Sequence, residues 1–224
     1  MARIFKNEAV IFDLDDLLYK EFDFMRSGFW TIARTVETEE PKNLFRMMMA
    51  RYFLGQSVLD WLCIEYLSNS EFTVESLLSI YRNHQPDISL AAETEQLLNA
   101  LKQNGNKIGI LTDGRASTQR NKIKALKLEN WVDVISVSEE CGYEKPAEEP
   151  YRFFMEQFKL DRFVYLADNF NKDFIAPNKL GWRTIALLDN GLNIHTRKKE
   201  LNQLNYPGEV VNSLSEIEVN ACFG

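Results

Sequence analysis

Cysteine and histidine are scarce in this chain: three cysteines, Cys63, Cys141 and Cys222, and two histidines, His84 and His195. The cysteines form no close pair, which excludes a disulfide framework and points to a reducing, cytoplasmic compartment. The histidines stand far apart and assemble no zinc site with them. No apolar run reaches the roughly 18 residues of a membrane helix, and no charged leader precedes an apolar stretch. A soluble protein with no membrane partner is expected. Basic side chains are in deficit, 26 against 33 acidic, for a net charge of −7. Binding a polyanion requires clustered Lys and Arg, so no nucleic-acid partner is expected either.

What is present is the balance of a folded globular protein: 224 residues, 45% apolar and 26% charged. At 26.1 kDa, folding buries about 72% of the unfolded chain's surface. Short apolar runs at 9–12, 107–111, 134–137, 163–167 and 184–188 read as strands buried on both faces. Helical patterns at 95–103, 117–128, 148–158 and 173–180 separate the later ones. That alternation predicts an α/β fold with a doubly wound parallel sheet, Rossmann-like in layout. The rhythm breaks over residues 17–89, where Phe29, Ile32, Ala33 and Val36 make a helical stripe and further stripes follow. The expected organisation is a core from residues 1–16 and 90–224, with an all-helical insertion over 17–89. Met47, Met48 and Met49 read as core filling. In the mostly polar tail, Val210-Val211 reads as an edge strand and 214–219 as a short helix.

The chemistry-bearing residues stand at strand ends, where open α/β sheets bind ligands. Strand one ends in Asp13-Leu14-Asp15-Asp16, strand two in Thr112-Asp113-Gly114, and strand four in Asp168 with Asp173 beyond; Lys145-Pro146 follows strand three. Two unit charges 4 Å apart repel by about 4 kcal/mol at an effective dielectric of about 20. A converging set of aspartates therefore calls for raised pKa values or a hard cation. All-oxygen ligation selects magnesium over zinc. Residues two apart on an extended segment point the same way, so Asp13 and Asp15 offer two carboxylates with one task each. One can attack phosphorus; the other can protonate the leaving oxygen and then activate water. Thr112 offers a hydroxyl, and Lys145 a point charge. The amides of Asp113 and Gly114, just ahead of a helix, suit an anion.

These motifs resemble the haloacid dehalogenase superfamily in its magnesium-dependent phosphatase branch. Phe12-Asp13-Leu14-Asp15-Asp16-Leu17-Leu18-Tyr19 is similar to its first motif and Leu111-Thr112-Asp113-Gly114 to its second. Lys145-Pro146 resembles the third, and Ala167-Asp168-Asn169-Phe170-Asn171-Lys172-Asp173 the fourth. The insertion sits where such proteins carry a cap domain. The resemblance implies a phosphomonoesterase for a small phosphorylated metabolite, working through an aspartyl phosphate. It implies Asp13 as nucleophile and Asp15 as general acid/base. Magnesium would be held by Asp13, the backbone carbonyl of Asp15 and Asp168, with Asp173 in support; Thr112 and Lys145 would bind the phosphoryl group. Leu17 stands where the family usually has a small hydroxyl residue, and Ala167 where it usually has a glycine. Ala167 would crowd the backbone if that position needed a positive φ.

Other readings remain open at this level. A phosphomutase shares the motifs. A haloacid dehalogenase needs one attacking carboxylate and no magnesium, so Asp15 beside Asp13 disfavours it. A phospho-acceptor signalling module would not carry the insertion, and a degenerate phosphate-binding protein would not turn over. Lys122, Lys124 and Lys127 read as a solvated helix face rather than phosphate ligands. His84 and His195 are assigned no role. Tyr19, Glu21, Phe22 and Arg26, at the entry to the insertion, either touch substrate or pack.

Overall fold

An apolar tetrapeptide with no polar face belongs in the middle of a sheet, and Ala9–Phe12 lies there, buried at every position. The computed structural model describes residues 2–68, 70–194 and 201–220; His195 and Cys222 lie outside the described residues. In chain order the strands are β1 (Ala2–Phe5), β2 (Ala9–Phe12), β3 (Ile108–Thr112), β4 (Val134–Val137), β5 (Phe163–Ala167), β6 (Arg183–Leu187), β7 (Glu209–Val211) and β8 (Ile217–Asn220). The helices are α1 (Glu21–Val36), α2 (Pro41–Phe53), α3 (Val58–Trp61), α4 (Val74–Asn83), α5 (Ala92–Asn104), α6 (Ala116–Ala125), α7 (Ser138–Cys141), α8 (Glu149–Phe158) and α9 (Ile175–Lys179). A π-helical turn, Leu62–Tyr66, continues α3.

The main sheet runs β4-β3-β2-β5-β6-β7, and every pairing in it is parallel. From β2 the chain winds outward through β3 and β4, then returns to lay β5 on the other side of β2. The strand order therefore reverses between β2 and β5, which marks the ligand crevice of such sheets. Side chains alternate across the sheet. Val10, Phe12, Ile110 and Leu166 pack with Leu98 and Leu101 of α5 and Ile123 of α6. Ala9, Ile11, Leu111 and Tyr165 pack with Tyr151 and Phe154 of α8. Helices cover both faces, and the core is a doubly wound, Rossmann-like α/β fold. Gly109 of β3 permits the close approach of α8, since a Cβ there would stand 2.5 Å from the Phe154 ring.

Between β2 and β3 the chain inserts α1 to α4. Phe29, Ile32 and Ala33 bury their stripe with Met25, Met48 and Leu77, in a cluster distinct from both sheet faces. Met48 fills that core and Met49 packs at its edge, whereas Met47 turns outward.

The tail departs from the expected helix over 214–219. A single 3-10 turn, Leu214–Glu216, leads into β8, which pairs in parallel with β1. Ile217, Glu218 and Val219 alternate as a strand does, and so short a segment is ambiguous by pattern. The helix expected over 117–128 stops at Ala125, because Lys127 takes a left-handed backbone with φ 53°. Asp173 precedes α9 instead of lying inside it. None of the described helices is long and apolar enough to cross a membrane. Cys63 is half-buried and Cys141 exposed, both as free thiols.

Candidate active site

The ladder between β2 and β5 continues one residue past β2: Asp13 N donates to Leu166 O at 2.9 Å. The acidic loops after the two strands consequently emerge side by side. Asp13, Asp168 and Asp173 each bring a carboxylate oxygen within 4.8 Å of the others, and all three are buried. Lys145 Nζ lies 2.9 Å from Asp13 Oδ1 and 2.9 Å from Asp173 Oδ1. It also donates to Tyr165 Oη at 3.3 Å. Asp173 Oδ2 accepts from the Asn169 amide at 3.1 Å, while buried Oδ1 faces the ammonium without a directed hydrogen bond.

Burial raises Asp13 to about 7; the Lys145 ammonium opposes that rise, and Asp173 adds to it. Asp168 rises to about 8, from burial and then from the charges of Asp13 and Asp173. Burial works against the Lys145 ammonium, but Asp13, Asp173 and Asp113 hold its pKa well above the ordinary lysine range. When all three buried carboxylates are ionised, the one ammonium leaves negative charge uncompensated, and burial together with that charge is why Asp13 and Asp168 hold their protons to a higher pH. An all-oxygen set with one undirected lone pair fits a hard divalent cation, magnesium above zinc.

Asp15 lies in a separate cradle. Its Oδ1 accepts from Tyr19 Oη and, at 2.7 Å, from Lys122 Nζ; its Oδ2 accepts from Gln119 Nε2 at 2.9 Å. Burial pushes this carboxyl up, yet Lys122 and the Tyr19 and Gln119 donors hold it below the usual aspartate value. Gln119 Nε2 also reaches Thr112 Oγ1 at 2.5 Å, which joins the end of β3 to Asp15. Lys122 is therefore no part of a wet helix face. Its side chain is 3% exposed, 3.8 Å from Glu21 and 4.4 Å above the Phe24 ring. Gln119, Lys122, Ile123 and Leu126 fall at i, i+3, i+4 and i+7, so two polar residues on the buried stripe of α6 were the available signal.

The segment after β3 serves differently from expectation. Asp113 is a tie: its Oδ1 accepts from Lys145 N at 3.1 Å and its Oδ2 from Lys172 Nζ at 2.5 Å. The Gly114 amide, expected as an anion donor, donates to Ser138 Oγ at 2.9 Å. Ala116 N, at the start of α6, already faces Glu139 Oε2 at 2.7 Å. Side-chain acceptors thus occupy these amides, a pairing that spacing alone does not reveal.

The residues at the entry to the insertion divide between the two roles. Tyr19 is buried on Asp15, Phe22 packs against Phe53 with the rings tilted, and Arg26 pairs with Asp23 near solvent. Burial and then the Asp15 charge raise Glu21 to about 7. Asp16, in a left-handed turn with φ 59°, accepts from Glu21 N at 3.0 Å and from Ile194 N at 3.1 Å. His84 is buried, its ring nitrogens 2.6 Å from Tyr81 O and 3.1 Å from Ser27 Oγ. Leu17 packs into the core, and Ala167 lies in extended β5 away from any positive φ.

The profile of the haloacid dehalogenase-like hydrolases matches residues 10–187. The chain belongs to this family. This hydrolase is 24% identical over 228 residues to glyceraldehyde 3-phosphate phosphatase of Methanocaldococcus jannaschii, which spans 94% of the chain and 95% of that protein. It is 28% identical over 189 residues to pyrophosphatase PpaX of Bacillus thuringiensis, across 81% and 83% of the two. Among solved structures, a haloacid dehalogenase phosphatase from Thermococcus onnurineus shares the fold at a TM-score of 0.58 and 20% identity, covering 93% and 95% of the chains. The protein is thus a hydrolase of this family, with phosphatases among its relatives.

Proposed function

We propose that this hydrolase is a magnesium-dependent phosphomonoesterase for a small phosphorylated metabolite, with Asp13 as nucleophile and Asp15 as general acid/base. The observation that carries the reading is the contrast between the two carboxylates. Asp13 shares a pocket with Lys145 and two further aspartates. Asp15, two residues on, is gripped by neutral and cationic donors from outside that pocket. The two carboxylates thus have separate partners, Asp13 facing Lys145 and the acidic pocket and Asp15 facing Gln119, Tyr19 and Lys122, which is what two separate tasks require.

In the proposed reaction an Asp13 oxygen bonds to phosphorus as the ester P–O bond breaks. Asp15, which Lys122, Tyr19 and Gln119 hold ionised at rest, takes up a proton from solvent as the substrate's negative charge arrives beside it and delivers that proton to the departing alkoxide. The resulting carboxylate then takes a proton from water, whose oxygen attacks phosphorus. The acyl-phosphate bond breaks, phosphate leaves, and the Asp13 carboxylate returns. Lys145 and the Thr112 hydroxyl hold the phosphoryl oxygens; Asp113 positions Lys145 through its backbone, with Gly114 shaping the adjoining turn. Magnesium, when held by Asp13, the Asp15 backbone carbonyl and Asp168 with Asp173 in support, supplies the positive charge that offsets a phosphate dianion among aspartates. Residues 17–89 form a cap over a core of 1–16 and 90–224, and its closure excludes bulk water. The cysteine usage supports a cytoplasmic setting.

Asp13→Asn is nearly isosteric and removes the attacking oxygen. With magnesium and 4-nitrophenyl phosphate it should lower turnover more than about a thousandfold while the melting curve stays cooperative. Undiminished turnover overturns the assignment.

A further inference from the structure

A cavity of about 400 Å³ lies in the inserted helices, walled by Met25 and Phe29 of α1, Tyr52 at the end of α2, Gln56, and Leu78 and Tyr81 of α4. We infer that it seats the alcohol half of the substrate, and that this alcohol carries an aromatic or other planar apolar group and no second anion. The inference rests on the phosphatase reading above and adds the substrate class.

Packed side chains link the cavity to the catalytic carboxylates. Glu21, Met25 and Phe29 fall at i, i+4 and i+8, one stripe of α1 that leads from Glu21 into the cavity. On the opposite wall the Tyr81 ring packs edge-on against Phe24 at 5.4 Å. Phe24 in turn lies 4.4 Å beneath Lys122 Nζ, which is 2.7 Å from Asp15. Burial raises the Tyr81 phenol, and the Glu21 and Asp15 charges raise it further, consistent with that proximity. Gly28 makes the wall possible: a Cβ there would stand 2.5 Å from Tyr81 Cδ2, so glycine lets the ring lie against α1.

The chemistry of the lining selects its occupant. Aromatic faces from Phe29, Tyr52 and Tyr81, with Met25 and Leu78, suit a flat apolar group. None of the described residues lining the cavity is Lys or Arg, and its one carboxylate, Asp60, already accepts from Ser57 Oγ. A carboxylate or second phosphate placed there would lose its hydration with no cation in return. The lysines nearby are engaged: Lys122 with Asp15, Lys145 with Asp13 and Asp173, and Lys20 with Asn193.

The test compares three phosphomonoesters with magnesium: methyl phosphate, benzyl phosphate and phosphoglycolate. The last two differ in a phenyl against a carboxylate on the same methylene. Benzyl phosphate should exceed both others in kcat/KM by about tenfold or more. Leu78→Trp, which fills the cavity, should reduce the benzyl-to-methyl ratio about tenfold. In the wild type, benzyl alcohol should inhibit methyl phosphate hydrolysis competitively and glycolate should not, a measurement independent of any variant's folding. Equal rates, a preference for phosphoglycolate, or inhibition by glycolate alone overturns the inference and leaves the phosphatase reading standing. No hydrolysis of any of the three overturns that reading and the inference with it.

Discussion

Asn193 Nδ2 donates to Asp168 Oδ2 at 2.7 Å, and the same side chain accepts from Lys20 Nζ at 2.7 Å. A residue 25 positions beyond Asp168 thereby fixes one of its oxygens and leaves the other to the acidic pocket. Outer contacts of this kind set the aim of a ligating carboxylate, and losing them typically costs about 10–100-fold in metal affinity. Asn193→Leu should weaken magnesium binding by that order in isothermal titration calorimetry. Affinity equal to wild type would show that Asp168 needs no such support.

In the Lys122–Asp15 pair the lysine side chain is 3% exposed and the aspartate 15%. Removing one partner of a buried pair strands the other charge, at about 3–5 kcal/mol, whereas replacing both is far milder. Lys122→Met should lose about that much in urea unfolding. The Lys122→Met, Asp15→Asn double variant should recover more than half of the loss. Strictly additive losses would mean the two charges are uncoupled.

Metal-free protein should become less stable as pH rises. Asp13 and Asp168 titrate near 7 and 8 in the folded chain, against about 3.9 when unfolded. The native state therefore binds more protons across that window, so the stabilisation is complete below the unfolded value and is lost through pH 7–8. Magnesium requires the ionised carboxylates, so its stabilising effect should grow over the same range. Melting temperatures at pH 5.5, 7 and 8.5, with and without magnesium, should show a widening gap. A constant gap refutes the linkage.

Gly109→Ala should destabilise without touching the chemistry. The new methyl meets the Phe154 ring at 2.5 Å and Ile11 Cδ1 at 2.8 Å, on the sheet face away from α5 and α6. Overpacking costs about 1–3 kcal/mol, or roughly 2–12 °C in melting temperature at this chain length. KM should be unchanged, and an unaltered melting point would contradict the packing described.

The central strands were legible because a strand covered on both faces leaves an apolar run ending at its loop, as Ala9–Phe12 and Phe163–Ala167 do. β1 and β8 were not, since each has four residues and finds its partner across the length of the chain. Among the site residues, Asp13, Lys145, Asp168 and Asp173 gather as their strand ends imply. Gly114 does not present its amide to an anion, because Ser138 reaches it from the end of β4. Lys122 reads as solvated among its lysine neighbours, and only the packing of α6 against the inserted helices buries it.

Order along the chain determined the α/β class, the place of the helical insertion and the aspartates delivered at strand ends. These follow from local periodicity and the alternation of side chains along an extended segment. Tertiary structure alone decided that Asp15 is held by Gln119 and Lys122, that Asn193 caps Asp168, and that the inserted helices enclose an aromatic-walled cavity with no lysine or arginine among its described lining residues. Those contacts join residues far apart in the chain, and the energy of a buried charge depends on what surrounds it in space, which no local pattern encodes.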